Sequence, residues 1–161
     1  MRVIVANGQT EKPIRFRVDR PLGKLLKWLR LLGFDALSDS ITEKMSLATA
    51  IGCDDRIWIT NTKLPAPIEG IIVVTTDHPI DQLRTVITAL HIQRQSLKLF
   101  TRCSACNHEL VRVARENIKG QVPDYIWETH RQFRTCDHCQ KIFWPGSHVD
   151  KQRRIIDKLF E

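Results

Sequence analysis

Two cysteine pairs carry the clearest chemistry in this chain, Cys103-Ser-Ala-Cys106 and Cys136-Asp-His-Cys139. Two Cys-x-x-Cys turns can set four thiolates at the corners of a tetrahedron, which is the coordination zinc takes in structural sites. Residues Asn107 to Thr135 separate the pairs, and strand-like residues follow each one, Glu109 to Val113 and Lys141 to Trp144. That is the layout of a zinc ribbon. Disulfides would need an oxidising compartment, yet the N-terminus has too short an apolar run, and no small-residue cleavage site, for a signal peptide. A thioredoxin-like redox pair would open a helix after a strand and would need no second copy. Structural zinc is therefore expected, contributing on the order of 10 kcal/mol to folding a module with little core of its own. The expected location is cytoplasmic. Cys53, far from both pairs, reads as an incidental or buried thiol.

A second set of groups with chemical potential is acidic: Asp19, Glu43, Asp77 and Asp81. Carboxylates that converge on one pocket repel one another unless divalent cations sit among them, so convergence of these four would imply Mg²⁺ or Mn²⁺. Helix capping is the alternative for Asp19, just before Pro21, and for Asp77, just before Pro79.

The elements that must position these residues alternate between strand and helix. Arg15 to Asp19 has strand alternation, and Pro21 to Leu32 reads as a helix with Leu22, Leu25, Leu26, Leu29 and Leu32 on one face. A short segment, Phe34 to Leu37, follows Gly33. A helix is expected over roughly Thr42 to Ile51, then a strand from Arg56 to Thr60. The run Gly70 to Thr76 is a third strand, and its unbroken Ile71 to Val74 core suits a central strand buried on both faces. Pro79 to Leu90 reads as a helix with Ile80, Leu83, Ile87 and Leu90 inward. Such alternation predicts an α/β fold with a parallel sheet, in which functional groups gather at the carboxyl ends of the strands. Asp19 and Asp77 both fall at such ends. The expected organisation is an α/β domain over residues 1–93 and a zinc-ribbon module over 94–161.

A chain of 161 residues with 42% hydrophobic content has enough material for one such domain and a small appendage, and no apolar run approaches the length of a membrane span. The net charge of +7 favours a polyanionic partner. Basic excess is concentrated late: residues through Gln93 hold 12 basic and 10 acidic side chains, and those after it hold 13 and 8. Opposite the leucine face of the first helix, Arg20, Lys24, Lys27 and, to one side, Arg30 form a basic stripe that begins beside Asp19. It could hold a phosphate backbone, or it could be an ordinary solvated face.

Several runs together carry a resemblance: Phe16 to Asp35, Arg56 to Thr60, Gln82-Leu83, Arg102 to Asn107, and Cys136 to His148 with its terminal Trp144-Pro-Gly-Ser-His148. Over nearly its whole length the chain resembles the Mut-seven C-terminal RNase-domain family. The resemblance implies a PIN-like α/β nuclease using carboxylates and a divalent metal, with RNA as partner and a C-terminal zinc ribbon aiding substrate binding. By this resemblance Asp19 matches the first acidic residue of the family and Glu43 approximately the second; in an active enzyme Asp77 or Asp81 would complete the site. The third family acid falls at Thr62, and Asn61 stands where the family has arginine. A neutral hydroxyl neither balances a cation's charge nor serves well as a base, so a catalytically inactive RNA-binding protein of the same fold is the alternative.

Overall fold

The structure is a computed structural model that describes residues 13–40 and 55–161. The expected helix over Thr42 to Ile51, together with Glu43 and Cys53, lies outside the described residues. The chain opens with β1 (Arg15–Asp19), a 3₁₀ turn (Arg20–Leu22), α1 (Gly23–Leu31) and β2 (Asp35–Asp39). It continues through β3 (Ile57–Thr60), β4 (Ile71–Val73) and α2 (Pro79–Ala89). The four strands form a parallel sheet in the order β2-β1-β3-β4.

Period-two alternation in these strands builds the core. Phe16, Val18, Ala36, Ile59 and Val74 are fully buried on one side of the sheet, where they meet Leu25, Leu29 and Leu32 of the first helical segment and Leu83 and Val86 of α2. Burying each of these leucines contributes about 2 kcal/mol. The five leucines expected on one face of the first helix are all buried. One expectation changes. β4 is an edge among the described strands, with Ile71 to Val73 only half-buried and full burial reached at Val74; β1 and β3 hold the centre. An unbroken apolar run marks a buried strand but does not say which neighbours flank it.

The end of α1 fixes the path of the later chain. Gly33 has φ +96°, and a Cβ there would lie 2.3 Å from the Lys98 carbonyl oxygen, so both conformation and space require glycine. The last carbonyls of a helix have no intrahelical donor. Here the Lys98 amide donates to Leu32 O at 3.1 Å and the Phe100 amide to Leu31 O at 2.8 Å.

Beyond this junction, β5 (Val111–Val113), β6 (Phe133–Thr135) and β7 (Ile142–Phe143) form an antiparallel sheet in chain order, with α3 (Asp124–Thr129) between β5 and β6. Its core is small, Ile118, Val122, Ile126 and Phe133. The final helix, α4 (Ser147–Asp157), then returns to the larger core, where Ile156 is fully buried and Leu159 and Phe160 pack alongside. No helix among the described residues is long and apolar enough to cross a membrane.

Candidate active site and metal centre

The two knuckles are built alike. The Asn107 amide donates to Cys103 O at 2.9 Å and the Gln140 amide to Cys136 O at 2.8 Å, while the Cys103 and Cys136 amides donate to His108 O and Lys141 O. Each turn closes through a left-handed residue, Asn107 at φ 72° and Gln140 at φ 58°. The sulfurs of Cys103, Cys106, Cys136 and Cys139 all lie within 4.8 Å of one another. Cys103 Sγ is 3.6 Å from Cys139 Sγ, and Cys106 Sγ is 3.3 Å from Cys136 Sγ. A disulfide needs about 2.05 Å. A zinc tetrahedron with bonds of about 2.3 Å has edges of about 3.8 Å, so the donor set fits a metal ion and is compatible with a zinc ribbon. Burial pushes the Cys103 thiol up and, reinforced by the neighbouring thiols, pushes Cys106 to about 12. Burial also opposes ionisation of Cys136, but hydrogen bonds from the Cys139 and His138 amides and the Cys106 thiol outweigh it and bring that group down to about 7. Such a cluster ionises fully only when a cation compensates the charge. The imidazoles of His108 and His138 stack beside the centre with centroids 4.1 Å apart.

The first knuckle is docked onto the α/β unit by polar side chains. Arg30 Nε donates to Ala36 O at 2.9 Å, and its Nη1 donates to Ser104 O and Ala105 O at 3.2 and 2.7 Å. Asn107 accepts from the Ala36 amide at 3.0 Å and donates to Asp35 at 2.7 Å. Asp35 is also clamped by both terminal nitrogens of Arg56, at 2.9 and 2.8 Å. Those hydrogen bonds from Arg56 outweigh the cost of burial and hold the Asp35 carboxyl at about 2. The expected phosphate contact at Arg30 is thereby corrected: the residue is 6% exposed, and its guanidinium is engaged by carbonyls of the knuckle and β2. Burial lowers its pKa, while Cys103, Cys106 and Asp35 pull the other way. Arg20, Lys24 and Lys27 remain exposed.

Asp19 lies at the carboxyl end of β1 and is only 7% exposed. Thr60, at the end of β3, donates its hydroxyl to Asp19 Oδ2 at 2.9 Å and accepts from the Thr62 amide at 3.0 Å. The Arg20 amide donates to Asp19 Oδ1 at 3.0 Å. Asp19 thereby caps the 3₁₀ turn Arg20–Leu22 that runs into α1, as the capping alternative expects, while the N-cap of α1 itself is Leu22 with no side-chain bond. Asp39, which the sequence reading did not single out, pairs in register with Asp19 on the adjacent strand, a separation of about 4.8 Å between strands, and forms an ion pair with Arg17. Asn61 and Thr62 are exposed just beyond β3.

Asp77 and Asp81 are also exposed. Asp81 sits 3.7 Å from His78 Nδ1 and 3.9 Å from Arg84 Nη1, and the N-cap of α2 is His78 rather than Asp77. Among the described residues, no three carboxylates lie within 4.8 Å of one another, so the structure does not gather Asp77 and Asp81 around Asp19 in that way. Glu43 lies outside the described residues.

A parallel sheet flanked by helices, with a buried carboxylate at the end of a central strand and a four-cysteine cluster docked through its first knuckle, defines an α/β domain carrying a cysteine ribbon. The family model described as the Mut7-C RNAse domain matches residues 14–156, nearly the whole chain, and the protein belongs to that family. Neither the curated proteins nor the solved structures give a significant match.

Proposed function

We propose that the protein is a divalent-metal-dependent ribonuclease whose site lies at the carboxyl ends of β1, β2 and β3. The observation that carries this reading is Asp19: a nearly buried carboxylate at the end of a central strand, oriented by the Thr60 hydroxyl and the Arg20 amide, with Asp39 in register beside it. Two donors leave the Asp19 carboxylate with further acceptor capacity, and an all-oxygen donor set suits a hard cation. Asp19 and Asp39, with Glu43 from the following segment, would hold Mg²⁺ or Mn²⁺, while Asp77 and Asp81, exposed and not gathered around Asp19, stand outside that set. When bound, the cation supplies charge against the phosphate and acidifies water. Arg20, Lys24 and Lys27, beginning one residue after Asp19, draw the phosphate backbone toward these carboxylates. The four cysteines hold structural zinc, and a reducing, cytoplasmic compartment suits their free thiols.

A second reading, an RNA-binding protein without catalysis, is favoured by one observation: Thr62 presents no charge where the family has its third acid, and only its amide contacts the Asp19–Thr60 pair. Thr62→Asp separates the two. In an inactive binder the substitution confers Mn²⁺-dependent cleavage of single-stranded RNA, whereas in a working enzyme the rate changes less than about threefold. Cleavage that persists when Asp19→Asn is added to either background contradicts both placements of the site.

A further inference from the structure

A cavity of about 460 Å³ lies away from Asp19, between the end of α1, the ribbon sheet and α4. Leu31 lines it, whereas Asp19 precedes α1, so the two sites are separated by most of a nine-residue helix, on the order of 13 Å along its axis. Five arginines face this cavity, Arg102, Arg112, Arg131, Arg134 and Arg153, and no carboxylate does. Two of them have structural partners: Arg102 donates to Gly33 O and Asn107 O and pairs with Glu109 at 3.4 Å, and Arg134 donates to Phe100 O. Arg112 and Arg131 are exposed and make no ion pair among the described residues. The Arg153 guanidinium lies over the Phe100 ring at 5.2 Å. With Arg102 alone of the five ion-paired among the described residues, the like charges gathered on this concavity raise a field that an anion satisfies.

The apolar part of the lining is aromatic. Phe100, Phe143 and Trp144 contribute to it. Phe100 is held at φ 56°, a conformation unfavourable for a bulky residue, by its amide bond to Leu31 O and by Arg134 on its carbonyl. The motif Trp144-Pro-Gly-Ser-His148 forms another wall: a Cβ on Gly146 would lie 3.2 Å from His148 Nδ1 and 3.4 Å from Trp144 Nε1, so glycine lets indole and imidazole close over one turn. Phosphate-binding cations beside aromatic faces are the combination that holds single-stranded nucleic acid with little sequence preference.

We infer that this cleft is a second RNA contact, binding a single-stranded segment with Arg112, Arg131 and Arg153 on its phosphates and Trp144 and Phe100 against its bases. The inference rests on the ribonuclease reading for the choice of RNA over another polyanion, and it names where on the ribbon side the substrate is held. An acidic peptide would match the arginines but gains nothing specific from base-sized aromatic faces. The test uses the full chain and a fluorescent single-stranded RNA decamer with no Mg²⁺ or Mn²⁺ added, so that the proposed cleavage does not proceed. Arg112→Glu with Arg131→Glu is expected to weaken binding at least tenfold and to reduce the slope of log affinity against log salt by about 1.4 or more, the contribution of two phosphate contacts on a single strand. Trp144→Ala should weaken binding roughly tenfold while leaving that slope unchanged, since stacking releases no counterions; zinc content checks that the ribbon stays folded. Asp19→Asn should bind the decamer as wild type does. Unchanged affinity and slope in the double arginine variant overturn the cleft while leaving any Asp19-dependent cleavage in place. Conversely, loss of binding in that variant with cleavage still present in Asp19→Asn supports the cleft and rejects the ribonuclease site. Displacement of the decamer by polyglutamate of equal charge, at equal or lower concentration, assigns the cleft to acidic protein and overturns the RNA assignment.

Discussion

Arg30 offers a sharp separation of structure from binding, because the sequence places it on a phosphate-facing stripe and the fold places it in a joint. Arg30→Met keeps the aliphatic stem and removes three hydrogen bonds, to Ala36 O at 2.9 Å, Ser104 O at 3.2 Å and Ala105 O at 2.7 Å. Hydrogen bonds from a charged group contribute about 1.5–3 kcal/mol each. The bond at 3.2 Å is the weakest, and both knuckle carbonyls are only partly buried, so water recovers part of the loss. Relief of guanidinium desolvation offsets more. The expected destabilisation is about 3 kcal/mol, a large fraction of the roughly 5–15 kcal/mol of an ordinary domain. Urea unfolding followed by tryptophan fluorescence should show a lower midpoint with an unchanged m-value. Zinc should also pass faster to a chelator, because two of the lost acceptors lie between Cys103 and Cys106. RNA affinity measured below the unfolding range should stay within about threefold of wild type. A stability change under about 0.5 kcal/mol, together with weakened and less salt-sensitive RNA binding, would refute the joint and restore Arg30 to the phosphate stripe.

Gly33→Ala forces a Cβ to 2.3 Å from a backbone oxygen at a positive φ, and should cost about 2–4 kcal/mol in the same urea assay; a change below 0.5 kcal/mol would mean the Lys98 segment yields freely. Asp35 titrates at about 2 in the folded chain against 3.8 ordinarily, so its stabilisation of about 2 kcal/mol is present above pH 4 and lost as the pH falls through 2. The stability gap between wild type and Asp35→Asn should therefore close across that window, and a gap independent of pH would contradict the clamp. Purification without chelator should yield one zinc per chain, and Cys106→Ser should lower its retention by orders of magnitude; metal analysis that finds no zinc in the wild type would reject the ribbon centre.

Local pattern made part of this molecule legible in its sequence. The alternation of Arg15 to Asp19 and the leucine spacing of α1 each reflect contacts within one element, and both elements occur where that spacing puts them. The knuckles were legible because two metal-binding turns are themselves local. What remained hidden depends on partners far along the chain. Arg30 meets carbonyls 74 and 75 residues away, which no helical wheel contains. Asp39 follows Ser38 and precedes Ser40, residues typical of a turn, yet parallel pairing with β1 carries the strand through to it. β6 has only three residues and no alternation to detect, so its place between β5 and β7 emerges only from pairing. The arginine and aromatic lining of the ribbon cleft is gathered from segments that begin at Leu31 and end at Arg153.

The central claim is that the strand-end carboxylates around Asp19 cut RNA with a divalent metal, and its most direct measurement is the initial rate of cleavage of a single-stranded RNA oligomer under Mn²⁺ titration. Wild type, Asp19→Asn, Asp39→Asn and Asp81→Asn should be prepared identically and checked for equal zinc content. The account predicts Mn²⁺-dependent cleavage by wild type that falls at least 100-fold in Asp19→Asn and at least tenfold in Asp39→Asn, while Asp81→Asn, whose carboxylate is exposed beside Arg84, stays within about threefold. Equal rates in wild type and Asp19→Asn, or a rate indifferent to Mn²⁺ and to its removal by chelator, would contradict it.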